Sequence, residues 1–118
     1  MGRIIKAFIN SLRGIKSTYQ NEKAFRQEVC LSIILIPLTL IIPVSLLFKG
    51  YLLLSLILVL LMEIANSAIE ATVDMVTMEF HELAKRAKDM GSAIVLIALI
   101  HLFIAWFLAI LTIFQSNV

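Results

Sequence analysis

Twenty consecutive residues from Val29 to Phe48 carry no charged side chain, and neither do the twenty-five from Met90 to Phe114. Each run reaches the roughly 20 apolar residues needed to cross a hydrocarbon core of about 30 Å. Between them, Leu52 to Met62 is apolar except for Ser55, so a further span is expected from Tyr51 to about Glu70. The chain has 118 residues, of which 61% are hydrophobic and only 15% charged, and its mean hydropathy is +1.01. That is more apolar surface than a soluble domain of this size can bury. The expected fold class is an all-α membrane protein forming one domain over residues 1–118. It has an amphipathic surface helix at 2–26 and three transmembrane helices at about 29–48, 51–70 and 90–114.

The surface helix follows from periodicity. At 100° per residue Ile4, Phe8, Leu12, Ile15 and Tyr19 share one face, while Arg3, Lys6, Asn10, Arg13 and Ser17 share the other. Basic residues opposite bulky apolar ones suit a helix lying on anionic lipid. Pro37 and Pro43 are expected to kink the first span, which a membrane helix tolerates. Lys49-Gly50 reads as a very short turn, and residues 79–89 (EFHELAKRAKD) as a polar, partly helical connection. The lone cysteine, Cys30, excludes a disulfide framework and reads as a small packed hydrophobe. The basic start lacks the continuous apolar core of a cleavable signal.

Charge sets the expected orientation. Six of the ten Lys and Arg residues lie at 3–26, three lie at 85–88, and only Lys49 lies between the first two spans. The positive-inside rule puts the N-terminus and the 75–89 connection in the cytoplasm. The second span then descends inward, with Glu70 near the cytoplasmic boundary and Glu63 about 10 Å deeper.

Glu63, Asn66, Glu70 and Asp74 follow the apolar run directly. A charge at bilayer depth costs about 2.5–3.5 kcal/mol on insertion scales, so such residues mark function. With Glu63 at 0°, Asn66 falls at about −60°, Glu70 at −20°, Asp74 at +20°, Thr77 at −40° and His81 at 0°. If the helix continues toward His81, one stripe carries them all. Clustered carboxylates at an interface suit a divalent cation, and Mg²⁺ is usually held by one or two carboxylates together with phosphates and waters. A Glu placed deeper among apolar side chains suits a general base. Lys88-Asp89 adds a cation for phosphate and another acid, and Arg3, Lys6 and the 85–88 basic run offer further phosphate contacts. A cytoplasmic metal–nucleotide meeting a membrane-embedded acceptor is one coherent reading. Polar stripes also line ion paths or join membrane helices into oligomers, so transport and assembly stay open on spacing alone. The four glycines form no phosphate loop, neither H-R-D nor D-F-G occurs, and His101 reads as a buried polar contact between helices. No motif accompanies the basic residues that would suit nucleic acid.

Three segments carry a resemblance: N-E-K-A-F-R-Q-E (21–28), E-I-A-N-S-A-I-E-A-T-V-D (63–74) and E-F-H-E-L-A-K-R-A-K-D-M-G-S-A (79–93). Together they closely resemble the prokaryotic integral-membrane diacylglycerol kinase family, and the likeness covers nearly the whole chain. The resemblance implies a homotrimer in the bacterial inner membrane with sites between subunits. It also implies an ATP-dependent phosphotransferase that makes phosphatidic acid from diacylglycerol, with Mg²⁺ as cofactor. Carried over by residue, Glu63 matches the general base, Glu22 and Glu70 the carboxylates holding the metal on ATP, and Asn66 the amide beside them. Lys88 and Asp89 complete the catalytic group. Arg3, Asn10, Glu79, Phe80, His81, Lys88 and Asp89 match nucleotide contacts, and Arg3, Arg26, Glu28, Glu63 and Ser92 match contacts to the lipid substrate. The chain departs from the family pattern at Asn10 and Leu12, where close members often carry aromatic residues. A sister branch with the same fold phosphorylates undecaprenol, but A-F-R-Q-E (24–28) looks more like the diacylglycerol branch.

Overall fold

The computed structural model describes residues 1–116. Its four helices are α1 (Gly2–Asn21), α2 (Lys23–Ile41), α3 (Leu46–Val76) and α4 (Glu82–Ser116). The last three are long and apolar enough to cross a membrane.

The surface helix expected over 2–26 is divided at Glu22, whose backbone is extended (φ −118°, ψ 110°). Its N–H donates to the Thr18 carbonyl at 2.9 Å, and α2 begins at the next residue. Arg26 explains the corner. Its guanidinium donates to the carbonyls of Tyr19 (2.8 Å) and Gln20 (3.1 Å), which the end of α1 leaves unpaired. Arg26 is therefore engaged by the backbone of α1.

The turn expected at Lys49-Gly50 lies earlier, at 42–45. Pro43 forces Ile42 into an extended conformation (ψ 149°), which ends α2. Ser45 Oγ then accepts from the Phe48 N–H at 3.1 Å and caps α3. Lys49 sits inside the first turn of α3 and reaches back to donate to the Leu40 carbonyl at 2.7 Å. Pro37 stays within α2. Cys30, expected to be packed, is exposed on the outer side of α2.

The core is a seam between α3 and α4. Leu52, Leu56, Val59 and Glu63 are buried on α3, and Gly91, Val95, Ala98, Leu102, Ala105 and Ala109 on α4. Both series step alternately by four and three residues, the repeat of helices packed at a shallow left-handed angle. Leu56 and Val59 meet Ala98 and Leu102, and Leu52 meets Ala105 and Ala109. Small residues on α4 let the backbones approach, which is how membrane helices gain contact where lipid offers no hydrophobic drive. Buried Ser32, Thr39 and Ser55 satisfy their hydroxyls on backbone carbonyls three or four residues back, at 2.7–2.8 Å. Tyr51 Oη and His101 Nε2 hydrogen-bond at 3.0 Å across the same seam, as expected for a polar contact between helices. The outer faces expose Ile33, Ile34, Ile57, Ile97, Phe103 and Phe107.

Candidate active site

The seam of α3 continues without a break in period from Leu52, Leu56 and Val59 to Glu63, Asn66 and Glu70. The face that packs against α4 near the turn at 42–45 therefore becomes acidic toward the 77–81 connection. Glu63 is 5% exposed and Glu28, arriving from α2, is 8% exposed. The two buried acids act on each other, and Glu22 and Glu70 lie near enough for their charge to reach Glu63. The corner at Glu22 brings that acid to the group from the start of α2. Asn66 Nδ2 donates to Glu70 Oε1 at 3.4 Å, a long contact between side chains one helical turn apart.

A second group lies around the α3–α4 connection. The stripe extrapolated to Thr77 and His81 stops short of them, because α3 ends at Val76 and Thr77 is extended (φ −153°, ψ 135°). Thr77 Oγ1 instead accepts from the Glu79 N–H at 3.1 Å, closing a local turn. His81 Nδ1 accepts from the Leu83 N–H at 3.1 Å and so caps the start of α4, which leaves the Nε2–H free to donate. Lys88 Nζ donates to Asp74 Oδ1 at 2.6 Å, and Lys85 to Asp89 Oδ2 at 2.7 Å. These residues enclose a cavity of about 380 Å³ lined by Asp74, Thr77, Glu79, Phe80, His81, Lys88 and Asp89 among others. That volume lies in the usual range of small-molecule sites. A larger apolar hollow lies at the other end of α3, beside Leu46, Leu54 and Leu108, away from the acids.

Of the expected residues, Glu22, Glu28, Glu63, Asn66 and Glu70 form the first group, and Glu79, Phe80, His81, Lys88 and Asp89 the second. Arg3 and Asn10 lie on the exposed surface of α1 and Ser92 on an exposed face of α4, and none of the three lines the cavity. Asp74, which sequence reasoning placed on the stripe without a role of its own, is the partner of Lys88. Among the described residues, no group of three or more His, Cys, Asp and Glu is arranged to hold a metal ion. Mg²⁺ needs fewer, since nucleotide phosphates and waters complete its shell. The acids at Glu22 and Glu70 fit that donor chemistry.

A family model described as prokaryotic diacylglycerol kinase matches residues 9–110. The chain belongs to that family. The matched segment contains every candidate residue except Arg3 and Lys6. The chain is 46% identical over 104 residues to a diacylglycerol kinase of Escherichia coli (strain K12), covering 88% of this chain and 85% of that protein. It is 47% identical over 96 residues to the diacylglycerol kinase of Haemophilus influenzae, covering 81% of each. With the diacylglycerol kinase of Helicobacter pylori (strain J99) it shares 40% over 112 residues, 95% of this chain and 88% of the relative. Family and spans together make this a multi-pass bacterial membrane protein.

Proposed function

We propose that this chain transfers the γ-phosphate of ATP to the free hydroxyl of 1,2-diacylglycerol, giving phosphatidic acid at the cytoplasmic face of the bacterial inner membrane. The observation that carries the reading is a buried acid, Glu63, on the same helix face as Glu70, with the Lys88-Asp89 cavity beyond them. Asp74 lies eleven residues past Glu63, or about 16 Å along α3, so a lipid hydroxyl and a nucleotide can approach from the two ends.

The roles follow from chemistry and position. The lipid hydroxyl loses its proton to the Glu63 carboxylate as its oxygen attacks the γ-phosphorus. The bond from that phosphorus to the bridging oxygen breaks, and ADP leaves. Lys88, kept in place by Asp74, turns its remaining N–H groups to phosphate oxygens and offsets their charge. The His81 Nε2–H and Asp89 hold the nucleotide in the cavity, and Asn66 keeps Glu70 in place. Mg²⁺ held by Glu22 and Glu70 would neutralise phosphate charge at the transferring group. Positioning and electrostatics do most of the work, because the protein forms no covalent bond.

α1 lies as an amphipathic helix on the inner surface, with its exposed Ile4, Phe8 and Leu12 in lipid and its basic residues toward headgroups. Arg3 and Asn10 reach the nucleotide from there, while Ser92 meets the lipid substrate. The chain works as a homotrimer with sites between subunits. Three spans are too few to enclose both a nucleotide and a lipid headgroup, which supports this.

The test is transfer of labelled phosphate from Mg·ATP in mixed micelles, offering diacylglycerol and undecaprenol separately, with Glu63→Gln as control. Labelling of diacylglycerol that depends on Glu63 is expected. Preferential labelling of undecaprenol would replace the acceptor, and labelling of neither would overturn the reading.

A further inference from the structure

Gly91 is the one glycine in the chain whose missing side chain the packing requires. A β-carbon built at Gly2, Gly14 or Gly50 meets nothing within 4 Å. One built at Gly91 overlaps Asn66 Oδ1 and stands 3.3 Å from Asn66 Cγ and 3.7 Å from Ile69 Cδ1. Gly91 is itself buried on the seam of α4, and every atom near the added carbon is side chain, so the Asn66 amide is the group that must move. Asn66 Oδ1 is fully enclosed and has no hydrogen-bond partner. The hydrogen that replaces the Gly91 β-carbon is turned toward it, a weak Cα–H contact at best. The other end of the amide donates to Glu70. Turning the amide over would set Oδ1 against the Glu70 carboxylate, oxygen against oxygen, so the donor must face the acid.

We propose that Gly91 is a positioning residue for Asn66: the bare Cα on α4 admits the Asn66 amide to the seam and keeps its Nδ2 on the Glu70 carboxylate. Any side chain at 91 pushes the amide off and lets the Glu70 carboxylate swing. Only the consequence for metal–nucleotide binding rests on the kinase reading, through the role given to Glu70. The steric relationship does not depend on it.

The experiment is a double-mutant cycle of Gly91→Ala and Asn66→Ala in the full chain, purified in micelles. It is read by thermal unfolding, by the half-saturating Mg²⁺ concentration and by the Asn66 side-chain amide resonance. That resonance is assigned by its loss in Asn66→Ala. In the wild-type background Gly91→Ala lowers the unfolding midpoint, moves the amide resonance and raises half-saturating Mg²⁺ by about tenfold. In the Asn66→Ala background it changes neither midpoint nor Mg²⁺ requirement, because the group it collides with is gone. If Gly91→Ala alone does not fold, Asn66→Ala restores folding. Equal loss in both backgrounds, failure of that rescue or an unmoved amide resonance overturns the proposal. A coupled midpoint with an unchanged Mg²⁺ requirement overturns the link to Glu70. Absence of phosphate transfer by the unaltered protein instead strikes the kinase reading, while the midpoint cycle and the resonance still decide the place of Gly91.

Discussion

Lys88 Nζ lies 2.6 Å from Asp74 Oδ1, tying the last turns of α3 to the first turns of α4 across the connection that carries Phe80 and His81. The pair is half-exposed, so solvent screening limits its worth to stability. Its importance lies in where it holds the ammonium. Asp74→Asn should raise half-saturating ATP about three- to tenfold, the effect of losing about one hydrogen bond. The midpoint of thermal unfolding should barely move. ATP saturation kinetics beside thermal unfolding will check this, and an unchanged ATP dependence would reduce Asp74 to a tether.

Glu63→Gln keeps the shape of the buried side chain and removes its capacity to take a proton. Turnover should fall by about 10²–10⁴-fold while Mg·ATP still binds. Equilibrium nucleotide binding measured next to phosphate transfer separates the two. Parallel loss of both would mean that Glu63 organises the site and does not act as its base.

Arg26 holds α1 to α2 through two carbonyls. Arg26→Ala should cost about 1–2 kcal/mol and expose the corner at Glu22 to protease. Arg26→Lys should restore only part, since both bonds come from Nη1 of the guanidinium and ammonium donors are not held in one plane. Limited proteolysis with mapping of the first cleavage will show whether the corner opens.

Tyr51 and His101 form a polar pair inside an apolar seam. Tyr51→Phe or His101→Leu alone should destabilise by about 0.6–1.7 kcal/mol, the range for such contacts between membrane helices. Changing both together should cost less than the two singly, because no buried group is then left without its partner. Phosphate transfer should stay unchanged in all three. A loss of turnover would connect this end of the seam to the site.

The three spans and their order were legible because lipid imposes a simple rule on apolar length. The stripe from Glu63 to Asp74 was legible because helical period places those residues together. The rule failed where period was carried past a helix end: Thr77 and His81 fit the angles but lie beyond Val76. The turn at 42–45 was marked by Pro43 and Ser45. Lys49-Gly50 drew attention away because a charge and a glycine in an apolar run resemble a loop, whereas Lys49 is bent back onto the Leu40 carbonyl. The corner at Glu22 left no local trace, since its cause is the reach of Arg26 to residues six and seven places earlier. Glu28 meeting Glu63, and Gly91 meeting Asn66, are contacts between helices, and neither residue announces its partner in the order of the chain.

Because α3 and α4 meet in steps of seven, depth and facing are locked to each other. One residue inserted after Val59 would swing every later acid through about 100° and turn Glu63 out toward lipid. Seven residues would restore the facing but shift the acid by about 10 Å along the membrane normal. Length can therefore change freely only at the ends and in the connections at 42–45 and 77–81. The apolar run before Glu63 acts as a ruler, and bilayer thickness sets how far the candidate base sits from the water that supplies its nucleotide.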